Sequence, residues 1–286
     1  MAEILASVID GVLIGAVYGL AAMGLTLIWG VMNVINLSHG AIIVFGMFAL
    51  YYLSPVLGLN PYAALPIGVV IGFVAGVLLY WVAVHRVIGR PPLMSLLSTF
   101  AVNMVLIGLG TAFWSTSPYN VPVWLPSVSW QGYTYTGTHI MAAVLAAVIA
   151  GLLYLLLYRT RIGKAIRAVS ANRAAAELSG IPTTQMLALS FGLGVTLAFA
   201  SGMLIATLFP FTVLSGGAYQ LKSFVVTVLG GLGNPAGALL GGIFLGLIEG
   251  VATPFMPVSW MPMIEFTLFV IVLIAFPRGI FSYSRT

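Results

Sequence analysis

Cysteine is absent and charge is nearly so: the 286 residues contain no Cys, five Asp or Glu and ten Lys or Arg. Without cysteine there is no disulfide, no thiolate metal site and no cysteine nucleophile. The shortage of charge excludes a soluble fold. Charged residues make up 5% of the chain, against roughly 25% in an ordinary globular protein. Between Asp10 and Arg86, and again between Arg90 and Arg159, there is no Asp, Glu, Lys or Arg at all. Metal-ligand spacing is missing too, because the three histidines, His39, His85 and His139, stand far apart. There is no P-loop: Tyr158 stands where its first glycine belongs ahead of Gly163 and Lys164. Residues 1–5 lack the basic start of a secretory signal, so the first apolar stretch is expected to be retained.

What is present is apolar sequence, 61% of the chain, in runs of helix length. About 20 such residues span a bilayer as a helix. A β-barrel would alternate apolar and polar residues, and residues 140–157 do not. The chain therefore reads as an all-α polytopic integral membrane protein forming one transmembrane domain over 1–286. Apolar runs cover 5–29, 40–57, 62–84, 93–114, 139–158, 185–209, 223–232, 235–253 and 262–276. That predicts about eight or nine membrane segments in two pseudo-repeated halves. Segments 33–40 and 230–237 interrupt the apolar pattern, one in each half, so broken or re-entrant helices are expected there.

Half of the basic residues lie in one short stretch: Arg159, Arg161, Lys164, Arg167 and Arg173. Arg86 with Arg90, and Arg278 with Arg285, form two smaller groups. The positive-inside bias assigns all three to the cytoplasm. The loop 159–184 and the C-terminus are then cytoplasmic. The aromatic segment 115–138, with Trp124, Trp130, Tyr133 and Tyr135, is external, and so is the N-terminus. Glycines recur every fourth residue at 11, 15 and 19, at 68, 72 and 76, and at 242, 246 and 250. Small residues at this spacing let helix backbones approach in lipid, which predicts a tightly packed bundle.

Three polar features carry the functional reading. The run 33–40 holds Asn33, Asn36, Ser38 and His39. A helix capped near Asn36 or Ser38 would present its N-terminus, with partial positive charge, to a carboxylate. The run either lines a substrate path or is a capped turn at the interface. Gly233 and Asn234, in the second break, are open to the same two readings, since Gly-Asn-Pro is also ordinary turn chemistry. In the basic loop, residues 171–182 read as a short Ala-rich helix, capped by Asn172 or Ser170, propagated by 174–178 and stopped by Gly180 and Pro182. This helix suits docking to a partner, and the basic loop equally suits contact with anionic lipid. Lys222, Glu249 and Glu265 are charges within or near late helices, where charge is costly and functional by default. The glutamates can also be read as lying at the outer interface. No catalytic group is expected: Ser38 and His39 are adjacent, with no acid near them in sequence.

Three segments together resemble the shorter permease subunit of bacterial ABC importers for branched-chain amino acids. They are GLTLIWGVMNVINLSHGA (24–41), GKAIRAVSANRAAAELSGI (163–181), and LKSFVVTVLGGLGNPAGALLGG (221–242) followed by GLIEG (246–250). The resemblance implies a multi-pass protein of the bacterial inner membrane. Its partners would be a homologous second permease, two cytoplasmic ATPases that hold ATP and Mg, and an external solute-binding protein. This chain would carry no cofactor, metal or nucleic acid. Its cargo would be leucine, isoleucine and valine; urea or short-chain amide permeases look similar, and a passive small-solute channel is the other alternative. The coupling region facing an ATPase would include Arg167, Asn172, Ala175, Ala176, Glu177 and Gly180. Ala171 stands before Asn172, where the family often has an acidic or polar residue.

Overall fold

The structure, a computed structural model, describes residues 2–130, 133–276 and 279–281. It is helical apart from one hairpin. The helices are α1 (Ala2–Met32), α2 (His39–Leu57), α3 (Leu65–Leu79), α4 (Pro92–Trp114), α5 (Gly137–Arg159), α6 (Arg161–Ala171), α7 (Arg173–Leu178), α8 (Thr183–Ala206), α9 (Gly216–Gly230), α10 (Pro235–Ala252) and α11 (Met261–Ala275). A π-helical turn, Tyr80–Val84, extends α3. Seven helices among the described residues are long and apolar enough to cross a membrane, with α11 as a shorter apolar helix. With α9, they account for the nine apolar runs read from the sequence. The exception to all-helical structure is β1 (Val128–Trp130) paired antiparallel with β2 (Tyr133–Tyr135) in the aromatic segment. That segment is held to the bundle by a β-bridge from Tyr119 to Phe211 and by Phe48 stacked on Trp114 at 4.0 Å.

The glycine periods become helix seams. Gly11, Gly15 and Gly19 of α1 lie backbone to backbone against Gly250, Gly246, Gly242 and Leu239 of α10. Any side chain on these glycines would meet the opposite main chain. Gly68, Gly72 and Gly76 of α3 instead make room for the side chains of Met203, Phe199 and Val195 of α8. Close backbone packing of this kind, rather than the hydrophobic effect, is what joins helices in lipid. The core lies around α1 and α8: from Met186 to Ala206 nearly every α8 residue is buried.

Two bundle ends are distinct. At one, Ser170 of α6 hydrogen-bonds the Gly30 carbonyl, Gly233 touches Gly30, and the Ile280 amide reaches the Leu229 carbonyl at 2.9 Å. The basic helix α6 and the short α7 lie at this end. At the other end, His139 pairs with Asp10 at 2.5 Å, and the Tyr62 hydroxyl bridges Thr138 and Thr207. The segment 115–138 and the start of α1 therefore share one end, as the charge reading requires of two segments on the same side. The C-terminal basic residues Arg278 and Arg285 lie outside the described residues.

Candidate functional site

The first break returns the chain into the bundle. Met32 ends α1, and Asn33 takes a left-handed turn at φ 53°. Residues 34–36 then lead back along α1 without regular structure, and 37–38 turn into α2. As a result α2 begins deep: His39 is fully buried and its Nε2 lies 3.0 Å from the carbonyl of Ala21. At 1.5 Å per residue that is about 16 Å in from the end of α1. A carbonyl only accepts, so Nε2 carries the proton and Nδ1 is left as an acceptor.

The cap differs from the one expected. Ser38 makes no side-chain cap to α2. Its amide and hydroxyl both donate to Asn36 Oδ1, at 3.1 and 2.6 Å, closing a local Asx turn. The orphan amide of Gly40 is satisfied from another helix, donating to Gln220 Oε1 at 2.6 Å. Gln220 Nε2 donates in turn to the Asn36 carbonyl at 3.3 Å. Leu37 and Ile35 are held by the Thr99 hydroxyl of α4 at 3.2 and 3.0 Å. Gln220 and Thr99 were missed from the sequence because nothing local marks partners supplied from 180 and 62 residues away.

A second re-entry, which the sequence reading did not mark, has the same form. After α8 the chain turns through 207–215 and begins α9 inside the bundle, with Gly216 against the main chain of Gly40. The two helices then diverge. Helix α2 runs toward the Tyr62 and Asp10 end, and α9 runs toward the Gly30 end. Two helix N-termini thus meet at depth with opposite directions. Each carries roughly half a positive elementary charge. Among the described residues, Asn36 Nδ2 and His39 Nδ1 are buried beside this junction without a protein partner. The junction therefore offers a donor, an acceptor and two positive helix ends without a formal charge. Below it lies a crevice of ≈ 170 Å³ lined by Trp29, Val34, Ile35, Phe224, Val228 and Leu232, with no polar surface. The crevice begins at Val34 and Ile35, just before Asn36, and neither Asn36 nor His39 lines it.

The predicted residues separate into groups. Asn36, Ser38 and His39 lie at the junction. Asn33, Gly233 and Asn234 lie at the Gly30 end instead. Asn234 there caps α10 by accepting from the Gly237 amide at 3.1 Å and donates to the Phe281 carbonyl at 3.0 Å. In the basic loop, Asn172 caps α7 as expected, accepting from the Ala175 amide at 3.0 Å, and Gly180 follows with φ 79°. Arg167, Ala175 and Glu177 are exposed, and Leu178 is 91% exposed. Ala176 turns inward and is buried. Helix α6 was not anticipated as a separate element. Its signal was present: Gly163, Ile166 and Val169, three apart within a basic run, form its buried face. The glutamates are not placed independently at an interface. Glu249 and Glu265 converge on Lys222 at 2.8 and 3.0 Å.

Comparison with known proteins places this arrangement. A family profile described as "Branched-chain amino acid transport system / permease component" matches residues 7–275. The high-affinity branched-chain amino acid transport system permease protein LivH of Escherichia coli is 27% identical over 293 aligned positions, covering 95% of this chain and 93% of that one. The corresponding protein BraD of Pseudomonas aeruginosa is 26% identical, covering 96% and 95%. The ribose import permease protein RbsC of Escherichia coli is 25% identical over 65% of this chain and 58% of its own. No solved structure matches the chain.

Proposed function

The chain belongs to the family of permease components of branched-chain amino acid transport systems, and from that premise we propose that it is the membrane subunit of an ATP-driven ABC importer for leucine, isoleucine and valine. The observation that carries this reading is the likeness, over nearly the whole of both chains, to permeases named for that cargo. The geometry supports it. A zwitterion with an aliphatic side chain needs dipoles for its charged end and an apolar wall for the rest, and the junction offers the first and the crevice the second.

In this reading Asn36, Ser38 and His39, joined by Gln220, line the substrate path at half depth. Asn33, Gly233 and Asn234 border its inner mouth. The chain stands in the bacterial inner membrane with its N-terminus and 115–138 outside, and with 159–184 and the C-terminus inside. A homologous second permease completes the path, two ATPases bind ATP and Mg, and a solute-binding protein delivers cargo. Arg167, Asn172, Ala175, Glu177 and Gly180 face an ATPase, and Ala176 anchors their helix to the bundle. Reversing a two-state preference from 1:99 to 99:1 takes about 5.5 kcal/mol of differential binding. Nucleotide clamping on separate subunits would supply this through α6 and α7.

The test is co-expression with the candidate ATPases, second permease and binding protein, then uptake of labelled leucine into proteoliposomes. ATP-dependent accumulation is expected only with all partners present. Uptake by the lone chain down a gradient would overturn the importer reading in favour of a passive channel. ATP-dependent uptake of urea, an amide or ribose but not leucine would overturn the cargo.

A further inference from the structure

In a chain so poor in charge, three charged side chains from three different helices meet at one point. Lys222 comes from α9, Glu249 from α10 and Glu265 from α11. The lysine Nζ sits 2.8 Å from one carboxylate and 3.0 Å from the other, and 4.3 Å over the ring of Tyr18. The cluster spans from Tyr18, near the middle of α1, to Glu249 in the last turn of α10, whose neighbour Gly250 packs on Ser7 and Val8. Its side chains are 15%, 15% and 9% exposed for Lys222, Glu249 and Glu265. Lys222 and Glu249 line a cavity of ≈ 380 Å³, bounded by α1, α9 and α10 and lined among others by Asp10, Ile14, Tyr219, Phe209 and Met261, while Glu265 reaches Lys222 from outside that lining. Small-molecule pockets run from about 300 to 1,000 Å³. The cavity reaches the surface at Ala218 and Thr253, on the side of the Asp10 end.

A structural ion pair does not explain this. Burying charges costs about as much as their attraction returns, and an apolar replacement is often as stable or more so. The site is also unbalanced: one cation faces two carboxylates. Asp10, on the same wall, already pairs with His139.

We propose that Lys222, Glu249 and Glu265 form a docking station for the two charged ends of a free amino acid entering from the Asp10 end. The incoming ammonium takes Glu249 and the incoming carboxylate takes Lys222, while Glu265, outside the cavity lining, holds Lys222 in place. The side chain rests on Ile14, Phe209 and Met261. The swap exchanges internal ion pairs for external ones of the same kind, so no net charge enters the bundle. Gln220, which caps α2 at the junction, is two residues from Lys222, so α9 carries both sites on different faces. The proposal rests on the amino-acid importer reading above and specifies where that cargo first binds.

The experiment uses the complete transporter with its partners and loaded binding protein. Glu265→Gln and Lys222→Gln are each expected to lower leucine uptake at least about tenfold, while the complex still assembles. The decisive variant exchanges the pair, Lys222→Glu with Glu249→Lys. It keeps an ion pair but reverses the polarity offered to the substrate, so assembly and thermal stability should return and uptake should not. Uptake restored to the wild-type rate by the exchange would overturn the proposal, leaving a structural pair. Binding is read separately with Thr253→Cys as a single reactive thiol at the cavity mouth. Leucine should slow its labelling, and 4-methylpentanoate and isoamylamine, which each lack one charged end, should not. Equal protection by all three, or by none, would sink the station. A wild-type complex that does not accumulate leucine would overturn the importer reading itself, and this proposal with it.

Discussion

Single side chains at the two working regions have separable consequences. Gln220 caps α2 from another helix, and among the described residues its hydrogen-bond partners are Gly40 and Asn36. Gln220→Leu leaves a buried amide unmade, at about 1–3 kcal/mol. The expected outcome is a lower melting temperature in detergent, with Gln220→Glu recovering the Gly40 contact. In α7, Ala175 is exposed and Ala176 buried. Ala175→Glu should therefore leave insertion intact and uncouple ATP hydrolysis from uptake, whereas Ala176→Glu should reduce the amount of folded protein. Equal yields of the two, measured by fluorescence size-exclusion, would contradict the orientation of α7. The sequence marked the polar residues of both regions but not which way each one faces. Ala175 and Ala176 are the same letter, and only the packing of α7 against α6 and α8 decides between them. Ser38 misled for a related reason: as a cap residue it fits, but Asn36, two positions earlier, captures its hydroxyl first.

At the scale of elements, the nine apolar runs, the two interruptions and the three glycine periods were all legible, because lipid demands long apolar helices and close packing demands small residues. What pairs with what was not legible. The period at 11, 15 and 19 and that at 242, 246 and 250 are each other's partners across most of the chain, and no local pattern states this. Gly246→Leu should consequently split α1 from α10 and give aggregated protein. Leu247→Phe, one residue on and 38% exposed, should be tolerated. Monodispersity in detergent distinguishes the two. The depth at which α2 and α9 begin was likewise hidden. A polar run between apolar runs looks alike at the membrane surface and at half depth, and only the contacts of His39 with Ala21 and of Gly40 with Gly216 fix it.

For the whole molecule, the absence of cysteine is an experimental advantage, since any introduced thiol is the only one. Trp124 is 97% exposed in the aromatic segment and Leu178 is 91% exposed on α7. Trp124→Cys should react with an impermeant maleimide in intact cells and Leu178→Cys only in inverted vesicles. The reverse pattern would invert the assigned topology. The α1–α10 seam bears on how such a molecule moves. Main chain lies directly on main chain there, without side chains to change rotamer or slide past one another. The two helices therefore behave as one double-walled beam. Bending has to be taken up where each helix of the beam joins its neighbour, at 33–38 and 231–234. These joints touch through Gly30 and Gly233, so a push on α6, which is bonded to Gly30, reaches both hinges at once and turns α2 and α9 together.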